Sequence, residues 1–196
     1  MRLRCAPASR LASILPWSAT SEDDVTATVG IVMGSTTDLP VMEKAARQLQ
    51  EFGIPYTLDV MSAHRNAAKV SAWASSAADD GYRVLIAGAG RAAHLPGVVA
   101  AHTALPVIGV PCLSDHLGGA DALYSIVQMP PGVPVATVGI DNAKNAAILA
   151  AQILALSDAD VARALADFRE AQSGKGMEHR EWSPDEAESS GFGFQA

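Results

Sequence analysis

The sequence predicts an α/β fold, a five-stranded parallel sheet covered by helices on both faces, with an extra C-terminal helix. Three observations predict it. Short β-branched runs alternate with helical patterns through the middle of the chain, which implies βαβ units and right-handed crossovers. The runs are continuously apolar instead of alternating, as strands buried on both faces are. The composition is aliphatic, 49% hydrophobic with 5% aromatic residues, and it carries 16 glycines and 11 prolines. That bias suits helices packed closely on a sheet and joined by glycine-rich connections.

The elements follow in order. TVGIVM at 28–33 is the first strand, and Pro40 opens the helix predicted over 39–52. PYTLDVM at 55–61 is the second strand, followed by a helix over 67–80. RVLIAG at 83–88 is the third, followed by a short helix after Pro96. LPVIGV at 105–110 and a helix over 120–127 come next, then PVATVG at 134–139 and a helix over 143–156. Ser157 or Asp158, both N-cap residue types, starts a last helix that runs to 171. Five such units form a flavodoxin-like three-layer sandwich.

Length and charge bound the rest. A chain of 196 residues holds one domain plus ends, and a domain that size needs no disulfide or metal staple. Cys5 and Cys112 make no disulfide framework and suit a reducing compartment. A net charge of −7 argues against general nucleic-acid binding, and no apolar run approaches the length of a membrane span. The expected organisation is an extension over 1–24, a catalytic domain over 25–172 and an acidic tail over 173–196. Arg2, Arg4 and Arg10 lie among serines without an acid, a composition shared with organelle transit peptides. The extension is therefore expected to be disordered or cleavable, and the tail disordered. A cytoplasmic location is expected, with organelle import the alternative if the extension is a transit peptide.

Ligands of open α/β sheets bind beyond the carboxyl ends of the strands. Chemistry-bearing residues gather there. The first loop, Gly34-Ser35-Thr36-Thr37-Asp38, offers small hydroxyls and amides at a helix start, which suits phosphate. It is not a Walker A loop, because no Gly-Lys-Ser/Thr follows. Asp38 is placed to accept from ribose hydroxyls or to cap the helix. The second loop carries Ser62, His64 and Arg65. An imidazole exchanges protons near neutral pH, which makes His64 the candidate acid–base. Arg65 offers a fork to phosphate, and its cation stands at a helix start, where an anionic ligand would compensate it. The third loop runs Gly88-Ala89-Gly90-Arg91-Ala92-Ala93-His94-Leu95-Pro96-Gly97. It matches a dinucleotide fingerprint in form but follows the third strand, meets Pro96 early and lacks a later ribose-binding acid. Its glycines instead let backbone amides approach a small anionic group. His94 lies on the same rim, with a loop-buttressing role as the alternative. Cys112 and His116 lack further ligands at zinc spacing, and no G-x-S-x-G elbow supports a serine hydrolase.

The motifs GSTTD, SAHR, AGAGRAAHLPG, LPVIGVP and SIVQMPPGVPVATV, in this order, resemble the bacterial-type N5-carboxyaminoimidazole ribonucleotide mutases, the class I AIR carboxylase group of purine biosynthesis. The resemblance covers residues 28–156. It implies a homo-octamer with active sites at subunit contacts, and a reaction without metal or organic cofactor. It implies phosphate and ribose binding by Ser35, Asp38 and Arg65, substrate binding by Ser62, and general acid–base work by His64. Gly88, Gly90, Ala92, His94 and Leu95 correspond to the loop around the imidazole and the transferred carboxyl group. The chain departs from the pattern at Arg91, where the group has glycine, at Asn66-Ala67 in place of Thr-Pro, and at Thr37 in place of serine. The alternatives are an AIR carboxylase using CO2 directly, a catalytically silent nucleotide-binding homologue and a dinucleotide oxidoreductase.

Overall fold

The computed structural model describes residues 3–4 and 28–173. The expectations for the remaining residues of 1–24, and for 174–196, lie outside the described residues. Two units are distinguished, residues 1–165 and 166–196. The first holds the sheet. In the second, the described residues 166–173 are the end of the last helix and are mostly exposed.

The elements in chain order are β1 (Leu3–Arg4), β2 (Val29–Met33), α1 (Leu39–Glu51), β3 (Tyr56–Val60), α2 (Ala67–Ser76), β4 (Val84–Gly90), α3 (Leu95–Ala100), β5 (Val107–Cys112), α4 (Ala120–Val127), β6 (Ala136–Thr137), α5 (Ala143–Leu154) and α6 (Ala159–Ser173). The sheet order is β1-β3-β2-β4-β5-β6. All pairings from β3 to β6 are parallel, which gives the expected five-stranded parallel sheet, with Ile31 opposite Leu58 and Ile86, and Ile86 opposite Ile108. β1 adds a two-residue antiparallel edge on β3, which no periodicity in the sequence carries.

Side-chain parity along the strands decides which helix each face receives. A Cβ added at Gly88 would meet the Met42 side chain of α1, whereas one at Gly109 would meet Ile126 of α4, and one at Gly30 would meet Trp73 of α2. α1 and α5 therefore cover one face of the sheet, and α2, α3 and α4 the other. α5 turns a stripe of Ala143, Ala146, Ala147, Ala150 and Ala151 inward at helical spacing, all fully buried, so its backbone comes close to the sheet and α1. Trp73, Leu85, Ala87, Leu95, Val99 and Ile126 lie in the core of the opposite layer.

Two elements fall well short of the expected length, while the others differ by at most a residue or two at their ends. The fifth parallel strand spans Ala136–Thr137 instead of 134–139. Pro134 has no N–H for a ladder, and the strand is an edge with partly exposed residues. α2 stops at Ser76 instead of 80, and its chain turns through Gly81 at φ +88° while the Tyr82 N–H donates to the Ala77 carbonyl. Only an achiral residue takes that turn without strain. α6 starts as expected, with Asp158 Oδ1 accepting from the N–H groups of Asp160 and Val161.

Candidate active site

The carboxyl ends of β2, β3, β4 and β5 open into one cleft of about 750 Å³. In the first loop the chain leaves β2 through Gly34, whose N–H donates to the Gly88 carbonyl at 3.0 Å. Ser35 then closes a capping box. Its Oγ accepts from the Thr37 N–H at 3.2 Å and from the Thr37 hydroxyl at 2.9 Å, while Asp38 Oδ2 accepts from the Ser35 N–H at 3.1 Å. Asp38 is thus both a cap and a cleft residue. Burial pushes its carboxyl above the usual carboxylate value, the Ser35 N–H opposes that rise and the nearby Asp141 carboxylate adds to it.

The second loop is a tight turn. Ser62 Oγ accepts from the Arg65 N–H at 3.3 Å, and the Ser62 carbonyl accepts from the Asn66 N–H at 2.9 Å. Asn66 caps α2 through its Oδ1, which takes the Lys69 N–H, so the departure from Thr-Pro keeps the helix start. The turn leaves His64 and Arg65 exposed in the cleft. Arg65 reaches the Gly34 carbonyl at 3.5 Å with one nitrogen, which puts its guanidinium beside the first loop and leaves its other donors for a ligand.

The third loop supplies the closest contact of the site. His64 Nε2 and His94 Nδ1 lie 2.7 Å apart, with the rings edge to face. One proton occupies that bond. In the neutral pair a second proton sits on His64 Nδ1 or His94 Nε2, which leaves the other nitrogen as a base. His94 stands at the N-cap of α3 but makes no side-chain cap, so its ring serves the pair and not the helix end.

Ser35, Asp38, Ser62, His64, Arg65, Gly90, Ala92, His94 and Leu95 all line the cleft. Gly88 does not. It lies inside β4, where a Cβ would come within 2.2 Å of Met42 Sδ, so its missing side chain serves helix packing. Gly90 faces a milder limit, because a Cβ there would sit 3.2 Å from the Cys112 carbonyl oxygen. Arg91, Leu113, Ser114 and Asp115 also line the cleft, beyond the site residues that the sequence motifs assign. The last three follow β5 directly, and that address was the available signal. Asp141 supports this fourth loop from behind, with Oδ1 accepting from the Leu113 N–H at 2.8 Å and φ at +56°. Burial, with Asp38 and Asp141, pushes the Cys112 thiol up to about 12, so it stays protonated and unreactive at neutral pH.

The model of the family described as AIR carboxylase matches residues 28–175. The N5-carboxyaminoimidazole ribonucleotide mutase of Thermotoga maritima is 56% identical over 142 residues, which cover 72% of this chain and 83% of that protein. The mutase of Pyrococcus horikoshii is 60% identical over 128 residues, covering 65% of this chain and 72% of that protein. The phosphoribosylaminoimidazole carboxylase of Saccharomyces cerevisiae is 54% identical over 140 residues, but these are 24% of that protein. Among solved structures, Treponema denticola PurE superposes with a TM-score of 0.69 at 34% identity, covering 83% of this chain and 97% of that one.

Proposed function

The chain belongs to the AIR carboxylase family, and from that premise we propose that it is an N5-carboxyaminoimidazole ribonucleotide mutase of purine biosynthesis. It moves CO2 from the exocyclic nitrogen of the substrate to C4 of the imidazole, giving 4-carboxy-5-aminoimidazole ribonucleotide. The observation that carries the reading is the imidazole pair at 2.7 Å, set in the same cleft as the Ser35 loop and Arg65.

The phosphate lies against the Ser35 hydroxyl, the backbone amides of the first loop and the Arg65 guanidinium. Asp38 accepts from ribose hydroxyls. The N–CO2 bond then breaks, the exocyclic nitrogen takes a proton from the cationic imidazole pair, and CO2 stays beside the ring. C4 attacks the CO2 carbon, and the proton on C4 goes to His64, which restores the aromatic ring and the cationic pair. The proton lost in the first half is recovered in the second, so the reaction is an isomerisation with no net proton change. Confinement of CO2 next to the carbon nucleophile supplies the proximity term. The amides around Gly90 and Ala92 approach the carboxyl group closely. No metal or organic cofactor takes part in this scheme, and the protein acts as a cytoplasmic homo-octamer.

The decisive experiment follows the synthetic carbamate by ultraviolet absorbance with purified protein. Conversion is expected, and His64→Asn is expected to fold normally and lose about 10²–10⁴-fold in turnover. Unchanged turnover in that variant would sink the mechanism. The identity to the yeast carboxylase segment favours a second reading, direct carboxylation of aminoimidazole ribonucleotide by CO2. The same assay with that nucleotide and bicarbonate separates the two, since the mutase reading expects the carbamate to be much the better substrate. Ligand binding without conversion of either would indicate a silent homologue.

A further inference from the structure

Arg91 takes a backbone conformation that arginine does not favour. Its φ is +56°, immediately after β4 ends at Gly90. For a residue with a Cβ the left-handed region costs roughly 1–2 kcal/mol, and glycine occupies it freely. A glycine would hold the same turn without that strain. Arg91 is exposed in the cleft, and among the described residues its guanidinium has no ion-pair partner. A strained backbone holding an unpaired cation in the wall of a cleft marks a ligand contact.

The two arginines of the cleft lining stand in different places. Arg65 reaches the Gly34 carbonyl and so belongs to the first loop, where the phosphate is held. Arg91 belongs to the turn that carries His94, the partner of His64. Protons move at that pair, so the reacting end of the nucleotide lies beside it, and the anion at that end is the migrating carboxylate. A guanidinium presents paired N–H donors that match a carboxylate. We propose that Arg91 is a specificity residue that binds the carboxylate carried on the imidazole, so that the cleft prefers carboxylated over uncarboxylated nucleotide. This rests on the mutase reading above. The charge it binds disappears when CO2 forms, so Arg91 holds the ground states more tightly than the intermediate. It therefore lowers KM without raising kcat.

The test compares wild type with Arg91→Gly, which suits the left-handed backbone, and Arg91→Lys, which keeps the charge. Calorimetric titration at fixed ionic strength uses aminoimidazole ribonucleotide and its 4-carboxylated form. Arg91→Gly is expected to lose about tenfold in affinity for the carboxylated nucleotide and less than twofold for the other. Arg91→Lys should fall between it and wild type. In turnover assays Arg91→Gly should raise KM and leave kcat unchanged or higher. Equal weakening toward both nucleotides would place Arg91 on the phosphate and overturn the proposal, as would no change toward either. If wild type binds neither nucleotide, the mutase reading itself falls, and the proposal with it.

Discussion

Asp38 answers two demands at once. Its carboxylate closes the capping box on the Ser35 N–H, yet it is partly buried and feels Asp141. Its pKa is raised in the folded protein, so folding favours the protonated form. That contribution is fully present below the ordinary value of 3.8 and is lost as pH rises through the raised value. At neutral pH the ionised group therefore lowers stability, a cost that fits the acceptor role proposed for it toward ribose. Asp38→Asn is expected to melt above wild type at pH 7, with the gap closing in acid, while nucleotide affinity falls roughly tenfold or more. Melting curves across pH and a binding titration check both halves. His64 and Arg65 were legible because their types and their place after a strand point to proton transfer and anion binding. The partnership with His94 was not legible, since those rings meet across 30 residues of sequence and only the packing of two loops sets their 2.7 Å approach. Gly88 shows the converse. A glycine in a site-like motif can be required by Met42 behind the sheet instead of by ligand in front of it.

At the scale of elements, the close approach of helices to the sheet rests on missing side chains. Gly109 in β5 is the sharpest case. A Cβ there would come within 2.4 Å of Ile126 Cγ2 and 2.8 Å of Val135 Cγ1, both on β-branched side chains with little freedom to move. Gly109→Ala should cost about 1–3 kcal/mol by overpacking, or roughly 2–4 °C of melting temperature for each kcal/mol. Thermal denaturation measures it, and an unchanged melting point would mean that α4 shifts without strain. The strands and helices were readable in order because β-branched runs and helical spacing report directly on burial. Their ends were less so. The fifth parallel strand shrinks to two paired residues because an edge position and Pro134 leave it little to bond with. The antiparallel pairing of Leu3–Arg4 with β3 is a contact distant in sequence, and no local pattern announces it.

At the scale of the whole molecule, Leu113, Leu117, Tyr124 and Val127 are exposed by 59%, 75%, 64% and 48%. Tyr124 and Val127 lie three apart on α4, on one helical face. Apolar side chains left outward in this way favour association with further copies, and the octamer proposed above is one such assembly. Light scattering on the eluting protein is expected to give a mass near eight times 20.3 kDa, and a mass of one chain would overturn that assembly. The sequence by itself determined the class of fold, the order of the elements and the rim where chemistry gathers. Periodicity encodes burial locally, and parallel topology then puts every strand's carboxyl end on one side. Only the tertiary structure decided which loop residues touch. It paired His64 with His94, brought the Asp141 charge near Asp38 and Cys112, drew Gly88 into the packing of α1 and set Arg91 in the cleft at a positive φ. Those outcomes depend on distances between segments far apart in the chain, and the close packing of several elements at once sets such distances.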